Sequence, residues 1–67
     1  IDGLKTIEKI INKSKFVLKI KGLLALEIGL GQHYKVCELL RSSGFYVSKI
    51  IKDYQNIKRC IFAVKIK

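Results

Sequence analysis

Apolar residues along this chain recur with two different periods, and the changes of period divide it into five elements. Leu4, Ile7, Ile10, Ile11, Ser14, Val17 and Leu18 fall at three- and four-residue spacing, which predicts a helix with one face docked on a core. Asp2, just ahead of them, is positioned to accept the first unpaired amides of that helix. Lys19-Ile20-Lys21-Gly22 breaks the period. Leu23 to Ile28 then runs almost unbroken apolar, the pattern of a strand covered on both faces within a parallel sheet, with Glu27 the exception. From Gln32 to Ser43 helical spacing returns in Val36, Cys37, Leu39 and Leu40, and Gly44 stands where a left-handed residue ends a helix. Phe45 to Ile51 reads as a second strand and Asp53-Tyr54-Gln55-Asn56 as turn chemistry. Arg59 to Ile66 alternates, with Cys60, Phe62, Val64 and Ile66 on one side and Arg59, Ile61, Ala63 and Lys65 on the other.

The expected fold class is therefore α/β, in the order α-β-α-β-β with a terminal antiparallel hairpin. No repeat, low-complexity tract or linker interrupts residues 1–67, which read as a single unit. A unit of this size buries only about 60% of the surface its unfolded chain exposes. A complete doubly wound enzyme needs about 150 residues or more to supply both a cofactor half and a substrate half. The chain starts at Ile1 and contains no Met, Pro or Trp, so a segment of a longer product is expected.

Charge changes this picture less than its size suggests. Lys and Arg number 14 against 5 Asp and Glu, a net +9 that on its face calls for an anionic partner. The twelve lysines, however, are scattered through every element beside eleven isoleucines, a pairing that AT-rich coding produces without selection for binding. A solvated surface is the expectation. Cys37 and Cys60, with His33 as the only other soft ligand, cannot assemble a four-ligand zinc site, so no metal is expected. Both cysteines sit among apolar residues and read as small hydrophobes in a reducing, cytoplasmic setting. No signal peptide and no charge-free apolar stretch long enough for a bilayer is visible.

The series Asp2-Gly3-Leu4, Leu18-Lys19, Gly22-Leu23-Leu24-Ala25-Leu26-Glu27-Ile28-Gly29 with Gln32, Leu39-Leu40, Gly44-Phe45 and Lys52-Asp53 followed by Arg59 resembles the C-terminal end of the HemK/PrmC family. Members of that family are S-adenosylmethionine-dependent methyltransferases that modify the side-chain amide nitrogen of a glutamine in peptide-chain release factors. The resemblance covers essentially the whole chain. It implies a C-terminal fragment of a class I (Rossmann-like) methyltransferase fold, in which the last strand runs antiparallel and inserts between the two before it. The family's glycine-rich cofactor turn and its Asn-Pro-Pro-Tyr motif lie upstream of everything aligned here. No catalytic or cofactor-binding residue is therefore assigned within the chain, which alone is expected to be inactive. S-adenosylmethionine and a release factor are implied only for the intact enzyme. Where the family tends to carry Pro-Gly-Gly, this chain has Ile20-Lys21-Gly22, a change in a turn and not in a reacting group.

By the same resemblance, Glu27, Gly29, Gln32 and Asp53, with Tyr54, gather at the carboxyl ends of the strands as candidates for the substrate rim. Plainer roles stand beside these: Glu27 as the first solvated residue of its strand, Gly29 and Gly31 as turn geometry, Gln32 as a helix cap, and Asp53 as the ion-pair partner of Arg59. His33 reads as a first-turn surface residue. The strand at Leu23–Ile28 would normally pair with a preceding strand, so the missing N-terminal part of the domain, or a second copy of the chain, is expected at its edge.

Two other readings remain open. Leu26-Glu27-Ile28-Gly29-Leu30-Gly31 resembles the cofactor motif of rRNA adenine methyltransferases, with Asp53 as the ribose-binding acid, but a small residue is wanted where His33 stands. Alternatively, the chain is a small basic nucleic-acid-binding module. That reading wants paired aromatics on one sheet face, whereas Phe62 has only aliphatic and Cys neighbours along its own strand, and Phe45 and Tyr46 point to opposite faces.

Overall fold

A computed structural model describes residues 3–67 and orders them as helix α1 (Gly3–Val17), strand β1 (Leu23–Glu27), helix α2 (His33–Ser42) and strands β2 (Phe45–Lys52) and β3 (Lys58–Lys65). The cap expected of Asp2 lies outside the described residues. In α1 the spacing holds, but the docked stripe is narrower than expected. Ile7 and Ile11 are buried and Leu4 and Leu18 pack beside them, while Ile10 and Val17 stay exposed. A stripe with both three- and four-residue steps is wider than the contact that one neighbouring layer makes, so its flank is left out. The last carbonyls of α1 are met from another element: the Lys65 ammonium donates to the carbonyl oxygens of Lys15 and, at 2.9 Å, Leu18. A cation there complements the negative end of the helix dipole.

Helix α2 buries Val36, Cys37 and Leu40 and stops where the glycine was expected to stop it. Gly44 has φ +89° and donates its N–H to the Arg41 carbonyl at 3.2 Å. A side chain there would be strained by the left-handed backbone and would meet the Lys67 side chain at 3.1 Å.

The sheet has the order β1-β3-β2, with β3 antiparallel to both neighbours. Strands β1 and β2 therefore run parallel to each other on either side of an inserted antiparallel strand, and their carboxyl ends share one edge. In β2, Val47 pairs with Ala63 and Lys49 with Phe62, which leaves Ser48 as an extra residue whose hydroxyl donates to the Phe62 carbonyl at 3.1 Å. This bulge shifts the alternation by one, so Phe45, Val47 and Ile50 all lie on the side of Ile61 and Ala63.

That side is the core. Leu26, Ile28, Phe45, Ile61 and Ala63 pack with Ile7, Ile11, Val36, Cys37 and Leu40 of the helices in one cluster. Both helices lie over the same face. The opposite face carries Leu23, Ala25 and Glu27 of β1, Cys60, Phe62 and Val64 of β3, and Tyr46, Lys49 and Ile51 of β2, and no described element lies over it. The expectation that Leu23–Ile28 is covered on both faces is thus corrected: Leu23 is 58% exposed and Tyr46, on the same bare face, 60%. An unbroken apolar run records that both faces suit burial, and only the helix connections decide which face this chain covers. The described strand beside β1 is the antiparallel β3, the neighbour that the family resemblance implied.

Candidate functional site

The shared carboxyl edge of β1 and β2 is where a ligand site in an open α/β sheet is expected. Two connections meet there. The first, residues 28–32, leads from β1 into α2 and is tied to β3 by the Ile28 N–H, which donates to the Arg59 carbonyl at 2.9 Å. The second is the hairpin turn from Asp53 to Ile57. Together they line an open cleft of about 220 Å³ with Leu30, Gly31, His33, Asn56, Ile57 and Lys58.

The rim candidates are brought to this edge, but three of them are engaged in holding it. The Gln32 side-chain oxygen accepts the Gly29 N–H at 2.7 Å, while the Gln32 backbone N–H donates to the Gly29 carbonyl at 3.1 Å. The pair closes the loop on itself, and a side chain at Gly29 would sit 3.2 Å from that oxygen. The capping expected of Gln32 is thus directed back to the loop and not into α2.

Asp53 organises the hairpin. Its Oδ1 accepts the N–H groups of Gln55 at 2.9 Å and Ile57 at 3.0 Å, and its Oδ2 accepts the Arg59 Nε at 3.0 Å. The Ile57 amide first, and then the Arg59 guanidinium, hold the carboxyl below the ordinary carboxylate range by stabilising the charged form. The ion pair with Arg59 expected from the sequence is present. Asn56 takes the left-handed position of this turn at φ +68°, a conformation that Asn tolerates. Tyr54 is almost wholly exposed.

Glu27 differs from the other three. It closes β1 on the bare face opposite Cys60, is exposed, and accepts no hydrogen bond from the described residues. His33 is half-buried in the cleft wall instead of standing on the open surface. Sequence reasoning missed Asn56 and Lys58 as wall residues, because a turn residue reaches the β1–α2 loop only once β3 has inserted beside β1. Pairing also corrects the view of Phe62 as an isolated aromatic. Tyr46 stands opposite Val64, so it is the diagonal neighbour of Phe62 on the bare face.

Two groups that an adenosyl cofactor would use at this edge are already engaged. The Gly29 amide that a phosphate- or carboxylate-binding turn would offer is taken by Gln32, and the carboxylate that would grip ribose hydroxyls is taken by its own hairpin. Among the described residues no cluster of His, Cys, Asp and Glu is arranged to hold a metal, and Cys37 and Cys60 are free thiols. No described helix is long and apolar enough to cross a membrane.

Comparison with known proteins agrees with the motif series. The chain is 38% identical over 64 residues to the release factor glutamine methyltransferase of Clostridium acetobutylicum, which covers 96% of this chain and 22% of that protein. It is 39% identical over 66 residues to the enzyme of the same name from Thermodesulfovibrio yellowstonii, covering 98% of the chain and 24% of that protein. The chain matches a segment of the HemK/PrmC family. It corresponds to a short C-terminal part of those HemK/PrmC proteins, about a quarter or less of their length. It is also 37% identical over 60 residues to the bifunctional methyltransferase of Rickettsia typhi, of which it covers 12%. No protein-family model and no solved structure matches it.

Proposed function

We propose that this segment is the C-terminal end of a Rossmann-like methyltransferase domain whose intact form transfers a methyl group from S-adenosylmethionine to the side-chain amide nitrogen of a glutamine in a peptide-chain release factor. The observation that carries this reading is the match, end to end and at nearly two-fifths identity, to proteins of that name. The antiparallel strand inserted between two parallel ones supports it, being the arrangement that the family resemblance implies.

On this reading the residues that bind the cofactor and orient the amide belong to the remainder of the polypeptide. The present chain contributes the end of the sheet, the Asp53 hairpin and the Gly29–Gln32 loop, which together fix the shape of the substrate rim. Glu27 is the one rim carboxylate left uncommitted to local structure, and it acts as a pocket wall or orienting charge. The bare face and the outer edge of β1 receive the rest of the domain. In isolation that edge is offered to a second copy, with Leu23–Glu27 at the contact.

The test is methyl transfer from labelled S-adenosylmethionine to a release factor, measured for this chain alone and for the polypeptide encoded by its full reading frame. Transfer by the longer polypeptide alone is expected. In that polypeptide, Glu27→Gln lowers turnover while leaving the melting temperature nearly unchanged, because it keeps shape and removes charge. Saturable cofactor binding by the 67-residue chain at micromolar concentration would overturn the assignment and favour the rRNA-methyltransferase reading. A binding module built on the bare sheet is the second reading, favoured by the Tyr46–Phe62 neighbourhood with Lys49 beside it.

A further inference from the structure

Lysines that look scattered in the sequence are gathered by α1 on one outward stripe. With 3.6 residues per turn, Lys5, Lys9, Asn12, Lys13 and Phe16 fall within one side of the helix, opposite the Ile7 and Ile11 side that enters the core. All five are exposed. Four-residue steps place successive ammonium groups about 6 Å apart along the axis. Glu8 is the lone acid of α1, and neither ion pair found among the described residues involves an α1 lysine. Like charges at four-residue spacing destabilise a helix, so the stripe is kept at a cost to the folded chain.

An aromatic ends the stripe. Phe16 is 83% exposed, and the Lys15 ammonium lies 5.8 Å from its ring centroid. Lys19 and Lys21 follow, also exposed, in the connection to β1. A row of cations closed by a presented aromatic face is the combination that binds a sugar-phosphate backbone and stacks a base. The stripe faces away from the sheet, so completing the bare face or the β1 edge does not consume it.

We propose that the outer face of α1 binds single-stranded nucleic acid, with Lys5, Lys9 and Lys13 on successive phosphates and Phe16 stacked on a base. Ile7 and Ile11 of α1 are buried in the core, and the lysine stripe itself carries a single apolar side chain, Phe16, too little to lie in a membrane. The proposal is independent of the methyltransferase assignment.

Fluorescence anisotropy of a labelled oligouridylate, titrated with the 67-residue chain at several salt concentrations, tests it. The variant Lys5→Gln/Lys9→Gln/Lys13→Gln is expected to weaken binding about tenfold or more and to reduce the slope of log affinity against log salt by about two, at ~0.7 per phosphate neutralised on a single strand. Phe16→Ala is expected to weaken binding about fivefold or more without changing that slope. A control of equal net charge, Lys35→Gln/Lys52→Gln/Lys67→Gln, and Phe62→Ala on the bare sheet face should each leave affinity within about twofold. Circular dichroism checks that every variant keeps its helices. Equal weakening by the control lysines would reduce the effect to net charge and overturn the proposal. Loss with Phe62→Ala but not with Phe16→Ala would move the site to the sheet. Binding to phosphatidylserine vesicles with none to the oligonucleotide would likewise overturn it.

Discussion

The two faces of the sheet are made by the same three strands, yet they behave as parts of different proteins. On the helix side, Leu26, Phe45, Ile61 and Ala63 are buried against α1 and α2. On the other, Leu23, Tyr46 and Ile51 stand in water beside half-buried Phe62 and Val64. Both faces are apolar, so composition does not distinguish them. The difference lies in connection: both described helices return over the same side, and no other described element covers the second face. On the proposed reading, the apolar face and the open edge beside it are where more protein fits, in keeping with a match to about a quarter or less of the relatives' length.

Removing side chains from each face gives the largest expected contrast. In the isolated chain, Ile61→Ala should cost about 2–5 kcal/mol, because Ile61 is wholly buried at the centre of β3. Leu23→Ala should cost under ~0.5 kcal/mol, since Leu23 already meets water. Urea denaturation measures both. In the full-length polypeptide the cost of Leu23→Ala should rise to about 2 kcal/mol or more as the bare face is covered. If it stays small there, this face is a true surface.

A second contrast lies between two turns at opposite ends of β3. Lys21 holds φ +75°, and Asn56 holds φ +68° in the hairpin. Asn is suited to that conformation and Lys is not. Lys21→Gly should therefore stabilise the chain by about 0.5–1 kcal/mol, strain relief exceeding the extra flexibility of Gly in the unfolded state. Thermal unfolding checks the sign. Lys21 stands where the resemblance noted in the sequence places a Gly, and its left-handed backbone is one that Gly adopts without strain.

The smallest effect is expected at the hairpin. The amides of Ile57 and Gln55 and the guanidinium of Arg59 favour the charged form of Asp53, so its folded pKa lies below its unfolded one. Its contribution is then present above the ordinary value of 3.8 and lost as pH falls through the depressed folded value. Asp53→Asn should lower stability at neutral pH and leave it unchanged at pH below the folded pKa. An equal loss at both pH values would assign the role of Asp53 to shape and not charge.

Much of the fold was legible because single-element signals carry it. The helical spacing of α1 and α2, the stop at Gly44 and the turn at Asp53–Asn56 each depend on neighbours in sequence. What was hidden depends on pairing. The extra residue at Ser48, which turns Phe45, Val47 and Ile50 to one side, has no signature in the alternation of β2 alone, and the nearness of Tyr46 to Phe62 follows only from register. For the candidate rim residues, position along the fold was legible and side-chain partners were not. Glu27, Gly29, Gln32 and Asp53 do reach the carboxyl edge. That Gln32 turns back to Gly29, and Asp53 to its own turn, is a matter of side-chain reach that spacing does not encode. The ordered lysines of α1 were visible as a count and became a stripe only on the helix.

The central claim is that the bare side of this sheet is completed by more of the same polypeptide. Its most direct test is hydrogen exchange at the outer edge of β1. The N–H of Ile28 and that of Lys65, donated to Gly22, fix the alternation, so Leu24 and Leu26 direct their amides to β3 while those of Leu23, Ala25 and Glu27 face outward. In the 67-residue chain, at a concentration where it sediments as a monomer, these three amides should exchange far faster than those of Leu24 and Leu26. In the full-length polypeptide they should slow by about a hundredfold or more, as a neighbouring strand takes them up. Equal, fast exchange of the three amides in both proteins would contradict the account.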